Sequence, residues 1–328
     1  MSLIEGPVLI TGARGFVGRH LQAAFEARGI DFIPLSSRDA DLRDFAATRA
    51  LFAEHPTASC IVHLAAWQAA GDFPARHPGE QFLRNAEIHL SVLEAWRSVL
   101  PRARLVALGT SCAYPTIEGP LREEDLLRGP IHGSVRFYGM TRRLLHEGIE
   151  ALGREFGLHG AFLIPATMFG EYDDFDESTA HVVGALVARF VDAALEGREE
   201  VVVWGDGRQV RDFLYAGDFA TCLAELLPRL EPGALNLGPG KGVEIGVLAR
   251  LIAEAAGFEG RILFDASRYT GIRAKFVDAT RLAQRYGIVL PEDLRPALRK
   301  TVAWYREHRE ECLGRRKFAG ERLAGAGR

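Results

Sequence analysis

Along the first half of the chain, short apolar runs alternate with longer stretches whose apolar residues recur at helical spacing. Pro7–Thr11 is a compact apolar run ending in a glycine-rich turn, and residues 15–28 follow with the spacing of an amphipathic helix. Ile30–Leu35 reads as a second strand and leads through a polar stretch to a helix over Phe45–Glu54. Cys60–Ala66 has the unbroken apolar character of a buried strand. Asn85–Leu100 reads as a helix, Arg104–Leu108 as a fourth strand, Tyr138–Phe156 as another long helix and Ala161–Pro165 as a fifth strand. Strands alternating with helices build βαβ units. The pattern therefore predicts an α/β fold with a doubly wound parallel sheet, Rossmann-like, covered on both faces.

Beyond Pro165 the pattern loosens. An acidic loop over 170–179 precedes a long helix from His181 to Glu196, and residues 201–207 and 211–220 mix strand-like and loop-like character. Insertions after a late strand commonly build a substrate lobe over the carboxyl edge of the sheet. The expected organisation is a dinucleotide-binding domain over 1–165, with segments returning from the second half, and a smaller interleaved substrate lobe over 166–328. The terminal stretch 320–328 reads as frayed.

Composition narrows the function classes. The 328 residues are 48% hydrophobic and 25% charged, an ordinary globular balance in a chain long enough to bury a core unaided. The 40 basic and 43 acidic residues leave a net charge of −3, with no basic excess to point to nucleic acid or an anionic membrane. Cys60, Cys112, Cys222 and Cys312 are scattered, without metal-ligand spacing, so no metal is expected and a cytoplasmic location fits. No apolar run reaches the roughly 18 residues of a membrane helix, and no secretory leader pattern is present.

Candidate chemistry starts at residues 11–18, Thr-Gly-Ala-Arg-Gly-Phe-Val-Gly. Gly12, Gly15 and Gly18 let the backbone approach a pyrophosphate, whose charge then sits at a helix N-terminus. A glycine triplet alone is also a simple tight turn; the strand before it and the helix after it favour dinucleotide binding. Arg14 and Arg38 suit the 2′-phosphate of NADP(H) better than the bare ribose of NAD, although both could be solvated and Asp39 lies close by. Thr110, Ser111 and Cys112 follow the fourth strand, where a cofactor edge would lie. Tyr138 and Arg142, four apart, share a helix face. A cation beside a phenol stabilises the phenolate and makes the hydroxyl a usable acid near neutral pH.

Taken together, residues 11–18, Asp41-Leu42, His63-Leu64-Ala65-Ala66, Asn85, Thr110 and Tyr138 resemble the extended short-chain dehydrogenase/reductase family. Residues 109–115, 181–190, 201–207, 211–218 and 262–282 extend the resemblance to its nucleotide-sugar epimerase/dehydratase branch, and there to epimerase/reductases of 4-keto-6-deoxy sugars. The resemblance implies that Phe16, Val17, Asp41, Leu42, Leu64, Ala65, Ala66 and Asn85 border the cofactor. It implies that Cys112 and His181 move protons at C3 and C5, while Tyr138, Thr110 and Arg142 serve reduction at C4. Ser111, Arg189, Trp204, Arg211 and Lys275 would line the nucleotide-sugar site, and the two long helices would form a homodimer interface. On the residues alone, Cys112 could equally be a small buried hydrophobe and His181 a solvated helix-start residue. Two departures stand out: Arg142 replaces the family's usual lysine, and Thr167 stands where close relatives often carry asparagine. Two other readings stay open, a nucleotide-sugar 4-epimerase with tightly bound NAD and a non-catalytic NADP sensor or scaffold.

Overall fold

The computed structural model describes residues 5–68, 76–268 and 272–314, so the terminal stretch 320–328 lies outside the described residues. The first strand (β1, Val8–Thr11) is wholly buried and passes through the glycine turn into helix α1 (Phe16–Arg28). Strand β2 (Phe32–Leu35) follows, then helix α2 (Phe45–Ala53), whose first turn is capped by Asp44 accepting from the backbone N–H groups of Ala46 and Ala47. Next come β3 (Cys60–His63), helix α3 (Pro78–Val99) and β4 (Arg104–Leu108). After an irregular stretch holding the short strand β5 (Gly119–Leu121), helix α4 (Arg136–Phe156) leads to β6 (Gly160–Pro165).

Six strands pair in parallel in the order Gly233–Leu237, β6, β4, β3, β1, β2. From β1 the chain winds outward to β2 and then returns to lay β3 on the other side of β1. That reversal opens a crevice at the carboxyl ends of β1 and β3, where open α/β sheets bind ligands. The core around the sheet includes Phe25, Phe52, Trp96 and Phe162, all fully buried. Trp96 meets its one polar obligation by donating from Nε1 to the Ala103 carbonyl at 2.8 Å.

A second hydrophobic cluster lies beyond β6. It joins helix α5 (Val182–Glu196) to the helices Ile245–Ala256 and Arg295–Glu307, with Phe169, Phe190 and Phe213 inside. Strands Glu200–Trp204 and Arg261–Asp265 pair in parallel beside it, and a small sheet combines β5 with Val210–Arg211, Val243–Glu244 and Ala274–Val277.

The structure corrects three readings of the pattern. The third strand stops at His63, because the Leu64 and Ala65 N–H groups turn to the Thr11 carbonyl and hydroxyl. Helix α3 begins at Pro78, seven residues before Asn85, since a proline in the first turn needs no hydrogen-bond partner. Within 211–220, read as mixed strand and loop, the chain enters a helix at Ala216 that runs to Leu226 and packs on α1.

Candidate active site

Gly12 is where the backbone must pass closest to its neighbour. Its φ is +72°, and a Cβ there would sit 2.9 Å from the Ala65 nitrogen. Any other residue would be strained and would push the β1 turn away from the loop after β3. Gly15 occupies the N-cap of α1 in extended conformation without a side-chain cap, so no side chain of the cap takes the first backbone N–H groups of the helix. Gly18 is buried beneath the turn, Val17 packs on the core, and the Phe16 ring lies edge-on to His20. Arg14 and Arg38 are exposed at the turn and at the end of β2. Asp39, next to Arg38 in the chain, is engaged by Ser36: its Oδ2 accepts from both the N–H and the hydroxyl of Ser36, at 2.7 and 2.8 Å. Those bonds lower its pKa. Asp41 is held by Arg43 in a two-pronged ion pair, and Leu42 packs on the core.

The loop after β3 is pinned at each step. Leu64 and Ala65 are held by Thr11, and Trp67 is held by Asn85. The Asn85 Oδ1 accepts from the Trp67 N–H at 3.1 Å, and its Nδ2 donates to the Trp67 carbonyl at 2.8 Å. Asn85 is itself fully buried, so its amide serves this loop. The Arg84 guanidinium lies over the Trp67 ring at 4.5 Å. What the loop delivers is Gln68. The Tyr138 hydroxyl donates to Gln68 Oε1 at 3.0 Å, and Gln68 Nε2 lies 2.9 Å from His181 Nε2.

Tyr138 and Arg142 stand one helical turn apart on α4, both buried, and the Arg142 guanidinium donates to the Tyr138 oxygen at 3.0 Å. Its second arm donates to the Leu108 carbonyl at 2.9 Å, which ties α4 to the end of β4. No carboxylate pairs with Arg142 among the described residues, and its Nε has no partner there. A buried cation without a counter-ion is costly and attracts negative charge. Thr110 caps the short turn Ser111–Ala113, its hydroxyl accepting from the Cys112 N–H at 3.2 Å. Gly139 lets that turn dock on α4: a Cβ there would lie 2.4 Å from the Cys112 carbonyl oxygen. Arg143 secures the same approach by donating to the Ala113 and Gly129 carbonyls. The buried Tyr114 hydroxyl donates to Asn236 at 2.7 Å, which fixes the loop to the last strand of the sheet.

His181 is the N-cap of α5. Its residue surface is exposed, yet desolvation by the surrounding protein lowers its pKa while the Asp174 carboxylate opposes the shift. Beneath the site, His63 joins the Thr11 hydroxyl to His89 at 2.8 and 3.0 Å. Burial, reinforced by the Arg142 charge, brings His63 down to about 3 and holds His89 well below its ordinary value, so both are neutral.

Residues 8–238 match the model of the NAD dependent epimerase/dehydratase family. The chain belongs to this family. Among curated epimerase/dehydratase relatives, a GDP-L-fucose synthase of Azorhizobium caulinodans is 32% identical over 302 residues, 91% of this chain and 96% of that protein. A GDP-L-fucose synthase of Escherichia coli is 31% identical over 94% of this chain and 98% of that protein. Of solved structures, a GDP-L-fucose synthetase from Naegleria fowleri bound to NADP is 26% identical with a TM-score of 0.84, covering 93% of this chain and 94% of that one.

The remaining expected site residues of this family member lie beyond β6 in the chain. The Arg189 guanidinium grips both oxygens of Glu177 and the Val202 carbonyl, and lies 5.7 Å from the exposed Trp204 ring. Arg268 approaches the same ring at 5.2 Å. Arg211 and Lys275 are directly paired on neighbouring parallel strands, so two cations share one sheet face. Their neighbour Asp212 is buried, accepting from the Val277 N–H at 2.7 Å and pushed up to about 6 by burial. Tyr138, Arg142 and His181 are thus joined through Gln68, and Thr110 and Cys112 sit on the turn docked against α4. Arg189 lies near Trp204, and Arg211 pairs with Lys275, apart from the Gln68 network. Sequence reasoning missed Gln68; the available signal was a polar side chain just past His63-Leu64-Ala65-Ala66 at the carboxyl edge of the sheet.

Proposed function

We propose that the protein is an NADP-dependent epimerase/reductase of the GDP-L-fucose synthase type. It acts on a 4-keto-6-deoxy nucleotide sugar, GDP-4-keto-6-deoxy-mannose in the first instance. The observation that carries this reading is the Tyr138–Arg142 pair linked through Gln68 to His181, in a chain 31–32% identical to GDP-L-fucose synthases over nearly its whole length.

The cofactor fit rests on the turn itself. Gly12 lets the turn close on the loop after β3, the N-terminus of α1 has no side-chain cap, and the Asp39 carboxylate is bonded to Ser36, while Arg14 and Arg38 are exposed beside it and suit a 2′-phosphate. Gly12, Arg14, Gly15 and Arg38 would hold NADP(H), with Leu64, Ala65 and Ala66 along its edge. When bound there, NADPH supplies the hydride for C4. The chain's own groups do the rest. A C4 ketone acidifies the neighbouring C–H bonds, so Cys112 and His181 can take and return protons at C3 and C5 through an enolate. Tyr138 gives its proton to the C4 oxygen, Thr110 orients that oxygen, and Arg142 holds negative charge on the phenol. The paired cations Arg211 and Lys275, with Arg189, suit the diphosphate, and Trp204 offers a flat face to the sugar nucleotide.

The reading extends to a homodimer. Ile88, Val92 and Leu145 are buried within the protomer, but α3 and α4 also expose Leu83, Leu90, Phe137 and Met140. Those four support a face that a second copy covers. The four cysteines are unpaired, which fits a reducing, cytoplasmic setting. Among the described residues no helix is long and apolar enough to cross a membrane.

The test is loss of NADPH absorbance when purified protein meets GDP-4-keto-6-deoxy-mannose, against dTDP- and UDP-sugar controls. NADPH consumption with the GDP-sugar is expected. Copurified NAD with interconversion of UDP-sugars at C4, or no turnover with any sugar, overturns the reading in favour of a 4-epimerase or a non-catalytic binder.

A further inference from the structure

Gln68 is an exposed residue, yet its amide touches both groups expected to move protons. The network fixes which way each proton points. The Tyr138 oxygen accepts from Arg142, and its own hydrogen goes to Gln68 Oε1. The other end of the amide is then the NH2 group, a donor. His181 Nε2, at 2.9 Å, must therefore offer a lone pair, which places the imidazole proton on Nδ1.

We propose that Gln68 is a positioning residue that keeps the free enzyme ready for reaction, with Tyr138 as hydroxyl donor and His181 as neutral base. Its amide stands in for the substrate. The amide oxygen takes the Tyr138 hydroxyl as a C4 ketone oxygen would, and the amide N–H faces His181 as the neighbouring C–H bond would. When sugar enters, the side chain swings away and leaves both partners already oriented. The loop makes this practicable, because Asn85, Thr11 and Arg84 fix the chain up to Trp67 and the glutamine side chain alone must move. The charged groups bearing on the pair are Arg142 on the Tyr138 side and Asp174 on the His181 side, and neither supplies a donor to His181 Nε2.

The inference rests on the epimerase/reductase reading for its meaning, but its first test needs no substrate. In 15N-histidine-labelled full-length protein without ligand, the His181 resonances, assigned by their loss in His181→Asn, report the tautomer. The wild type is expected to show the Nδ1–H form. Gln68→Leu should give a mixture of tautomers, and Gln68→Glu, which offers His181 only acceptors, should bring it toward imidazolium at pH 7. A wild-type His181 in the Nε2–H form, or a tautomer unmoved in a folded Gln68→Leu protein, overturns the proposal. A second readout follows turnover: Gln68→Leu should lower kcat about tenfold without raising KM, since the loss is of preorganisation and a competitor for the site is gone. A raised KM with unchanged kcat would assign Gln68 to substrate binding and contradict the proposal. If the wild type shows the expected tautomer but turns over no nucleotide sugar, the functional reading fails and the placement of Gln68 stands.

Discussion

At the scale of single residues, the account turns on what each polar group is already bonded to. Asp39 is engaged by Ser36, whereas Arg14 and Arg38 are exposed at the glycine turn and the end of β2. Arg14→Ala and Arg38→Ala are each expected to raise the KM for NADPH about tenfold while leaving NADH nearly unchanged, measured by steady-state oxidation. An equal loss for both cofactors would place the arginines elsewhere. Arg142 spans Tyr138 and the Leu108 carbonyl, a reach that a lysine ammonium cannot reproduce with both contacts. Arg142→Lys should keep or raise hydride transfer and lose about 1 kcal/mol of stability from the missing Leu108 bond. A tenfold or greater drop in NADPH oxidation, with folding intact, would give the arginine a role of its own. The tyrosine and arginine were legible because helical spacing alone puts residues four apart on one face. Gln68 was not, because its partners lie 70 and 113 positions away and meet it only through the tertiary fold.

At the scale of elements, the parallel strands and the helices between them were readable because buried strands are unbroken apolar runs. The helix at 216–226 was hidden for a local reason. It follows the strand Phe213–Tyr215 without a break, its N-cap Tyr215 makes no side-chain cap, and Gly217 stands in its first turn. The start of α3 was hidden by Pro78 and Gly79, which look like loop yet suit a first turn. The docking of the Thr110–Cys112 turn on α4 could not be read, since it depends on Gly139 being empty where the two elements meet. Gly139→Ala is expected to cost about 1–3 kcal/mol by overpacking against the Cys112 carbonyl. It should lower turnover more than NADPH affinity, as compared by denaturant titration, kcat and cofactor binding. Unchanged stability and kcat would show that the turn has room to retreat.

Across the whole molecule, buried titratable groups set the pH range of stability. His63, near 3 in the folded chain against an ordinary 6.5, stays neutral where the unfolded histidine takes a proton. Stability is therefore full above about 6.5 and falls as the pH drops from there toward 3. Asp212 works in the opposite direction: raised from 3.8 to about 6, it costs nothing below 3.8 and its full penalty above 6. Asp212→Asn keeps an acceptor for the Val277 N–H and should raise the melting temperature at pH 8 but not at pH 4. A gain at both values would mean that its carboxylate charge is not the cause. Assembly belongs to this scale too. Leu83→Arg with Leu90→Arg should shift the proteins toward monomer in light scattering, and an unchanged dimer would move the interface off α3.

The central claim is that one site carries both proton transfer beside the ketone and reduction of it. The measurement is incubation with GDP-4-keto-6-deoxy-mannose in heavy water, with and without NADPH, counting deuterons in the sugar by mass spectrometry while following nicotinamide absorbance. The account predicts two deuterons, at C3 and C5, together with NADPH consumption. It predicts loss of deuteration, but not of the fold, in Cys112→Ser and His181→Asn. NADPH consumption with no deuterium in the ring would contradict it, since reduction would then proceed without the epimerisation assigned to Cys112 and His181.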